Sequence, residues 1–136
     1  MQYFTDFYKP NTALYAQTQS SGSGNGSSVD ATGYDRVCYF VTCGSGAAGA
    51  TLDIQITESA TTGGTFSNIT GGSIVQVLDS TDETTYTIDV PTNSAKPFQR
   101  AKRTSATAAM AFSVIAIPYG GNHKHPPTLE QTEVRV

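Results

Sequence analysis

Three kinds of side chain in this sequence could carry chemistry, and their spacing decides how far each reading goes. His123 and His125 flank Lys124. Alternate residues of a strand face the same side, so the two imidazoles have a usable metal-ligand spacing. No third ligand stands nearby, and the pair lies beside Pro126 and Pro127 in a tail where solvated histidines are the plainer reading. Nucleophilic catalysis needs a Ser or Cys beside a positioned base and an orienting acid. Both histidines sit in the tail, and the glycine-serine text at 22–24 and 44–46 reads as loop, not as a nucleophile elbow. Paired carboxylates can hydrolyse glycosides. Asp53 and Glu58 share one strand region and Asp79, Asp82 and Glu83 one turn, but the chain has no Trp to platform a sugar. Solvated strand faces and turn caps account for these acids. The glycine-rich stretches run into Ser, Asn or strand residues, so no helix start follows to hold a phosphate. The chain is therefore expected to be no enzyme, with no cofactor and no metal.

Two other groups of residues point to partners. Arg100, Lys102 and Arg103 form a basic cluster, and the even-numbered pair shares a face with Phe98. These side chains read either as a solvated face with snorkelling stems or as a docking surface for an acidic partner. Tyr3, Phe4, Phe7 and Tyr8 stand ahead of Pro10. They either pack on their own domain or anchor a neighbouring subunit, as Tyr and Phe do at interface cores. For a carbohydrate-binding module, Tyr15, Tyr34 and Tyr39 would be the stacking platforms.

The elements that must position these residues are strands. At 136 residues the chain fits one domain, with 38% apolar and only 14% charged residues. Thr, Val, Ile, Tyr and Phe dominate its patterned stretches, and long helix-forming runs are missing. Leu52, Ile54 and Ile56 alternate with Asp53, Gln55 and Thr57, the cleanest period of two in the sequence. Residues 34–43 put Val37, Tyr39 and Val41 on one face and Cys38 and Phe40 on the other, a central strand covered in part on both sides. Further strands are expected over 12–19, 66–69, 73–78, 84–90 (Tyr86, Ile88 and Val90 inward), 97–105 and 106–119, with Gly71 and Gly72 breaking the chain between two of them. Turns every eight to twelve residues mark an all-β, antiparallel sandwich. Residues 1–9 and 120–136 read as extended arms, and 20–33 as a flexible loop. Cys38 and Cys43, five apart, fall on opposite faces roughly 16 Å from each other, whereas a disulfide needs Cα atoms within about 7 Å. Two free thiols follow.

The net charge of −3 and pI near 5.1 argue against nucleic acid as a partner. No apolar run approaches the roughly 20 residues that span a bilayer, and the N-terminus lacks the basic and apolar regions of a signal peptide. A cytoplasmic site of synthesis and assembly is expected. The run Tyr34-Asp35-Arg36-Val37 into an apolar strand, the segments 50–59 and 64–71, and Phe98-Gln99-Arg100-Ala101-Lys102-Arg103 before a last strand ending Ile117-Pro118-Tyr119 together resemble small head proteins of tailed bacteriophages, including capsid decoration, or cement, proteins. The resemblance spans about residues 34–119. It implies a jelly-roll-like sandwich and a virion structural protein that binds the major capsid protein and stabilises the shell from the capsid surface after assembly in the host cytoplasm. It further implies a homo-oligomer, dimer or trimer, with no active-site residues. A tail or neck component and a carbohydrate-binding sandwich module are the alternative readings.

Overall fold

Alternation of Leu52, Ile54 and Ile56 with polar neighbours builds the strand on which one sheet is centred, and all three apolar side chains are fully buried. In a computed structural model of the chain, which describes residue 8 and residues 10–81 and 83–121, nine strands are present: β1 (Asn11–Gln19), β2 (Gly22–Asn25), β3 (Val29–Asp30), β4 (Arg36–Gly46), β5 (Thr51–Ser59), β6 (Ser67–Leu78), β7 (Thr85–Pro91), β8 (Phe98–Ala106) and β9 (Met110–Tyr119). One sheet has the order β1-β9-β4-β7 and the other β2-β8-β5-β6, with β3 also on β8. Every pairing is antiparallel. The two sheets pack as a sandwich, because each strand has one apolar side that must leave water. Counting β2 and β3 as one interrupted strand on β8, eight strands form two four-stranded sheets in jelly-roll order.

The core is filled by alternate residues of the central strands: Val37, Tyr39, Val41 and Cys43 from β4, Met110, Phe112, Val114 and Ala116 from β9, and the β5 trio opposite. Tyr39 is wholly buried and donates its hydroxyl to Gln99 Oε1 at 3.2 Å, which ties β4 to β8 across the sandwich. Gln99 Nε2 donates in turn to the Pro91 carbonyl at 3.0 Å. Burial pushes the Tyr39 hydroxyl far above the ordinary tyrosine range, so it stays protonated. Pro118 sits within β9 without breaking the ladder. Tyr119 O accepts from Asp35 N on the β4 side, so the Pro118 nitrogen faces the other way. No donor to the β4 ladder is lost there.

Three expectations change. The segment read as a flexible loop at 20–33 carries β2 and β3, with Val29 buried. Its Gly and Ser residues pair with β8 through backbone alone, which leaves no side-chain pattern to see. Gly71 and Gly72 do not break the chain. They lie in β6 at a bulge, where a step of two positions on β5 (Gln55 to Thr57) is matched by a step of five on β6 (Ser73 to Asn68). The Gln55 amide donates to the Ile69 and Gly72 carbonyls and holds the bulge closed. Tyr39, offered as a sugar platform, is a core residue with no exposed surface. Cys38 and Cys43 are free thiols, Cys43 buried and Cys38 half-buried on the opposite face. The arms 1–9 and 120–136 lie outside the described residues, apart from Tyr8, Gly120 and Gly121.

Candidate functional site

Strands that bury one face display the other, and the two outer faces of this sandwich differ in chemistry. On the β1-β9-β4-β7 sheet, Thr12, Ile115, Phe40 and Thr87 form one cross-strand row, each opposite the next in register. Ile115 is 44% exposed and Phe40 37%. The neighbouring row sets Ile117 against Cys38 and Cys38 against Asp89. On the other side Ser113 faces Thr42, and beside them Ala16, Gly44 and Ala111 line a shallow groove of about 400 Å³. Small residues make this groove: a Cβ on Gly44 would stand 3.3 Å from that of Ala111.

Only two charged side chains occur on the four strands of this sheet, and they neutralise each other. Arg36 Nε donates to Asp89 Oδ1 at 3.0 Å and Tyr119 Oη donates to Asp89 Oδ2 at 2.6 Å. The Asp89 partner raises the pKa of Arg36 and, with some burial, of Tyr119. Burial, helped by Asp89, also pushes the Cys38 thiol up, which makes it a neutral, slow-reacting group. The result is a broad outer face with no net charge and apolar side chains open to water.

The outer face of the β2-β8-β5-β6 sheet is polar, and its side chains are engaged within the molecule. Asp53 Oδ1 accepts from Gln76 N at 2.7 Å, holding a residue whose backbone lies at φ 56°. Gln55 closes the β6 bulge as described. Arg100 lies over the Phe66 ring, 3.9 Å from its centroid, where stacking stabilises the cation. Lys102 is exposed opposite Gln55.

The basic cluster is thereby divided. Arg100 and Lys102 share this outer face with Phe98, as their spacing implied, but Arg103 pairs with the inward-facing Ile54. Its Nη1 donates to the Gly22 carbonyl at 3.2 Å, clamping β2 to the sheet. Tyr3, Phe4 and Phe7 lie outside the described residues, and Tyr8 is half-buried ahead of β1. Tyr15 is 73% exposed beside the Leu14/Gln17 irregularity of β1. Tyr34 lies just before Arg36, which pairs with Tyr119. About six β9 residues, or roughly 20 Å, separate the two tyrosines, so they form no common platform.

The exposed Phe40–Ile115 pair is the surface feature that residue-type reasoning passed over. Its signal was present: β4 and β9 are apolar on both faces, and only one face of each can meet the opposite sheet. Among the described residues no group of three or more His, Cys, Asp and Glu could hold a metal ion, and no helix is long and apolar enough to cross a membrane.

No protein-family model and no curated protein matches this sequence. Solved structures do. The PBSX exported protein XepA matches with a TM-score of 0.62 over 93% of this chain at 11% identity, and the chain spans 42% of XepA. A protein of Bacillus endospore appendages, described as disulfide-linked pili, matches with a TM-score of 0.49 over 85% of this chain and 90% of its own, at 11% identity. A protein of infectious bursal disease virus matches with a TM-score of 0.49 over 86% of this chain and 34% of its own, at 10% identity. At these identities the likeness is one of fold.

Proposed function

We propose that this chain is a virion structural protein that attaches to a viral capsid shell and stabilises it as a decoration, or cement, protein. The observation that carries the reading is the neutral outer face of the β1-β9-β4-β7 sheet, with Phe40 and Ile115 exposed side by side. Soluble monomers seldom leave contiguous apolar surface open unless something covers it. A face without net charge suits a partner surface that is itself apolar or neutral, since burying an unpaired charge against it would cost more than contact returns. In this reading the face lies on the shell, and the polar face of the other sheet looks to solvent. A repeating shell then turns modest single contacts into firm attachment through many copies. The jelly-roll order, and the fold shared with the PBSX exported protein XepA, support a structural rather than a catalytic role.

The test is cosedimentation of the full chain with expanded, empty phage-type capsids that include its cognate shell. The native chain binds saturably. A chain carrying Phe40→Asp and Ile115→Asp stays folded, because both side chains are partly in water already, and binds at least about 100-fold more weakly, the equivalent of two tenfold losses. Absence of saturable binding by the native chain would remove the reading.

A further inference from the structure

Among the described residues each sheet ends in strands with a neighbour on one side only, and these edges differ in how they are finished. β6 has two register shifts, with Gly71 and Gln76 at positive φ. At the far side of the same sheet β2 and β3 are short pieces. β1 has two register shifts of its own, and Ser27 N donates to its Ala13 carbonyl at 2.9 Å. β7 has none of these protections. It pairs with β4 from Pro91 opposite Arg36 to Thr85 opposite Thr42 without a shift, and it carries no Lys or Arg.

The register shows which backbone groups of β7 point away from β4. Cys43 N donates to Thr84 O at 3.0 Å and Thr92 N to Asp35 O at 2.8 Å, so the even-numbered residues of β7 bond to β4. The odd-numbered Thr85, Thr87 and Asp89, all exposed, turn their N–H and C=O groups to the outer edge. Both ends of this run are closed. Glu83 turns the chain at φ 53°, and Pro91 has no N–H while its carbonyl takes the Gln99 amide at 3.0 Å. Thr87 is the midpoint, which makes the run self-complementary. A two-fold axis through Thr87 sets that residue against its own copy and Thr85 against Asp89, each pair exchanging both backbone bonds. The Asp89 carbonyl accepts from Arg36 Nη2 at 3.1 Å and has a second lone pair for this use. In this register threonine hydroxyls face the carboxylates, whereas an axis through Asp89 would oppose two like charges.

We propose that the β7 edge binds a second copy of this chain, the two strands pairing antiparallel about Thr87 so that the β1-β9-β4-β7 sheets of both copies become one. The row Thr12, Ile115, Phe40, Thr87 ends at the axis and runs on into its copy. The two Phe40 side chains then stand three strand spacings, roughly 14 Å, apart on one side of the dimer. The pairing rests on the geometry of the edge and not on shell attachment. Where the neutral face also lies on a shell, each dimer attaches through two apolar patches at once.

Sedimentation equilibrium of the full chain from about 1 μM to about 1 mM, with amide hydrogen exchange over the same range, tests it. The mass rises from one chain to two with a dissociation constant on the order of 10 μM, as befits a small interface made mostly by main chain. Exchange at Thr85, Thr87 and Asp89 slows as the dimer forms. Thr87→Pro removes an N–H that the chain's own ladder does not use, stays folded, and raises the dissociation constant at least about 30-fold. Thr87→Lys brings two like charges together at the axis and weakens association by a second route. The chain with Phe40→Asp and Ile115→Asp dimerises as the native one does, so loss of shell attachment and loss of the dimer are told apart. A single-chain mass at about 1 mM overturns the proposal, as does a mass of three chains or native-like association of both Thr87 variants. Slow exchange at these amides already at about 1 μM would assign the edge to the chain's own residues. Protection that comes only with added capsids would assign it to a strand of the shell protein. Either result overturns the pairing of two copies.

Discussion

Ile115 and Phe40 stand side by side on the outside of one sheet, whereas the outside of the other carries Asp53, Gln55, Arg100, Lys102 and Thr104. Both faces belong to strands that bury their inner sides equally well, so the contrast is not a matter of core formation. On the polar face the long side chains do internal work. Gln55 and Asp53 satisfy backbone groups that two irregularities in β6 would leave unpaired, and Arg100 covers Phe66. That face is complete as it stands. On the neutral face the outward side chains make no comparable bonds apart from the Arg36–Asp89–Tyr119 cluster at one end. Its apolar surface gains only when something else covers it. The lesson is that the outer faces of this sandwich separate into one whose side chains finish the fold and one whose apolar side chains do not, the face that the proposed function assigns to a partner.

Four substitutions sharpen or break this comparison. The largest effect on stability falls on the polar face. Gln55→Ala removes the donor shared by the carbonyls of Ile56, Ile69 and Gly72, and costs about 2 kcal/mol, a fall of about 6–8 °C in thermal midpoint. Capsid attachment of the folded variant is unchanged. Next comes the core that the two faces share. Tyr39→Phe leaves Gln99 Oε1 without its donor and costs about 1 kcal/mol in chemical denaturation. Because folding raises the Tyr39 pKa above its ordinary value of 10.0, the native state keeps a proton that the unfolded chain releases. The stability this gives is whole below about pH 10 and is lost as pH rises above it. A denaturation series from pH 8 to 11.5 shows the native protein falling more steeply than Tyr39→Phe.

The smaller effects lie on the charges. Arg36→Ala leaves the thermal midpoint unmoved, since the pair is exposed. It strands the Asp89 charge on an otherwise neutral face, and cosedimentation shows attachment about 3- to 10-fold weaker. Lys102→Glu, on the opposite face, changes neither midpoint nor attachment. A clear loss of attachment for Lys102→Glu would reverse the assignment of the two faces.

The central strands were legible because their signal is local. Period two in β5 and β7 and the two-sided apolar text of β4 name the strands and their inward residues without help from the rest of the chain. β2 was illegible because GSGN pairs through its backbone, and a ladder formed by glycine and serine has no side-chain alternation. The bulge in β6 was misread because the residue that holds it, Gln55, lies on another strand. One misreading was avoidable: the same period that put Tyr39 with Val37 and Val41 already placed it in the core. The odd position of Arg103 had already set it apart from the face that Arg100 and Lys102 share, and the register agrees. The outer edge of β7 could not be foreseen, since a strand's own residues do not say whether it ends a sheet.

The most direct test of the two-face account is hydroxyl-radical footprinting of the native chain, free and bound to its shell, with modification read residue by residue. The account predicts that Phe40, Ile115 and Cys38 lose reactivity on binding while Phe66, Lys102 and Thr104 keep theirs. Protection of Phe66, Lys102 and Thr104 with Phe40 and Ile115 still reactive would contradict it.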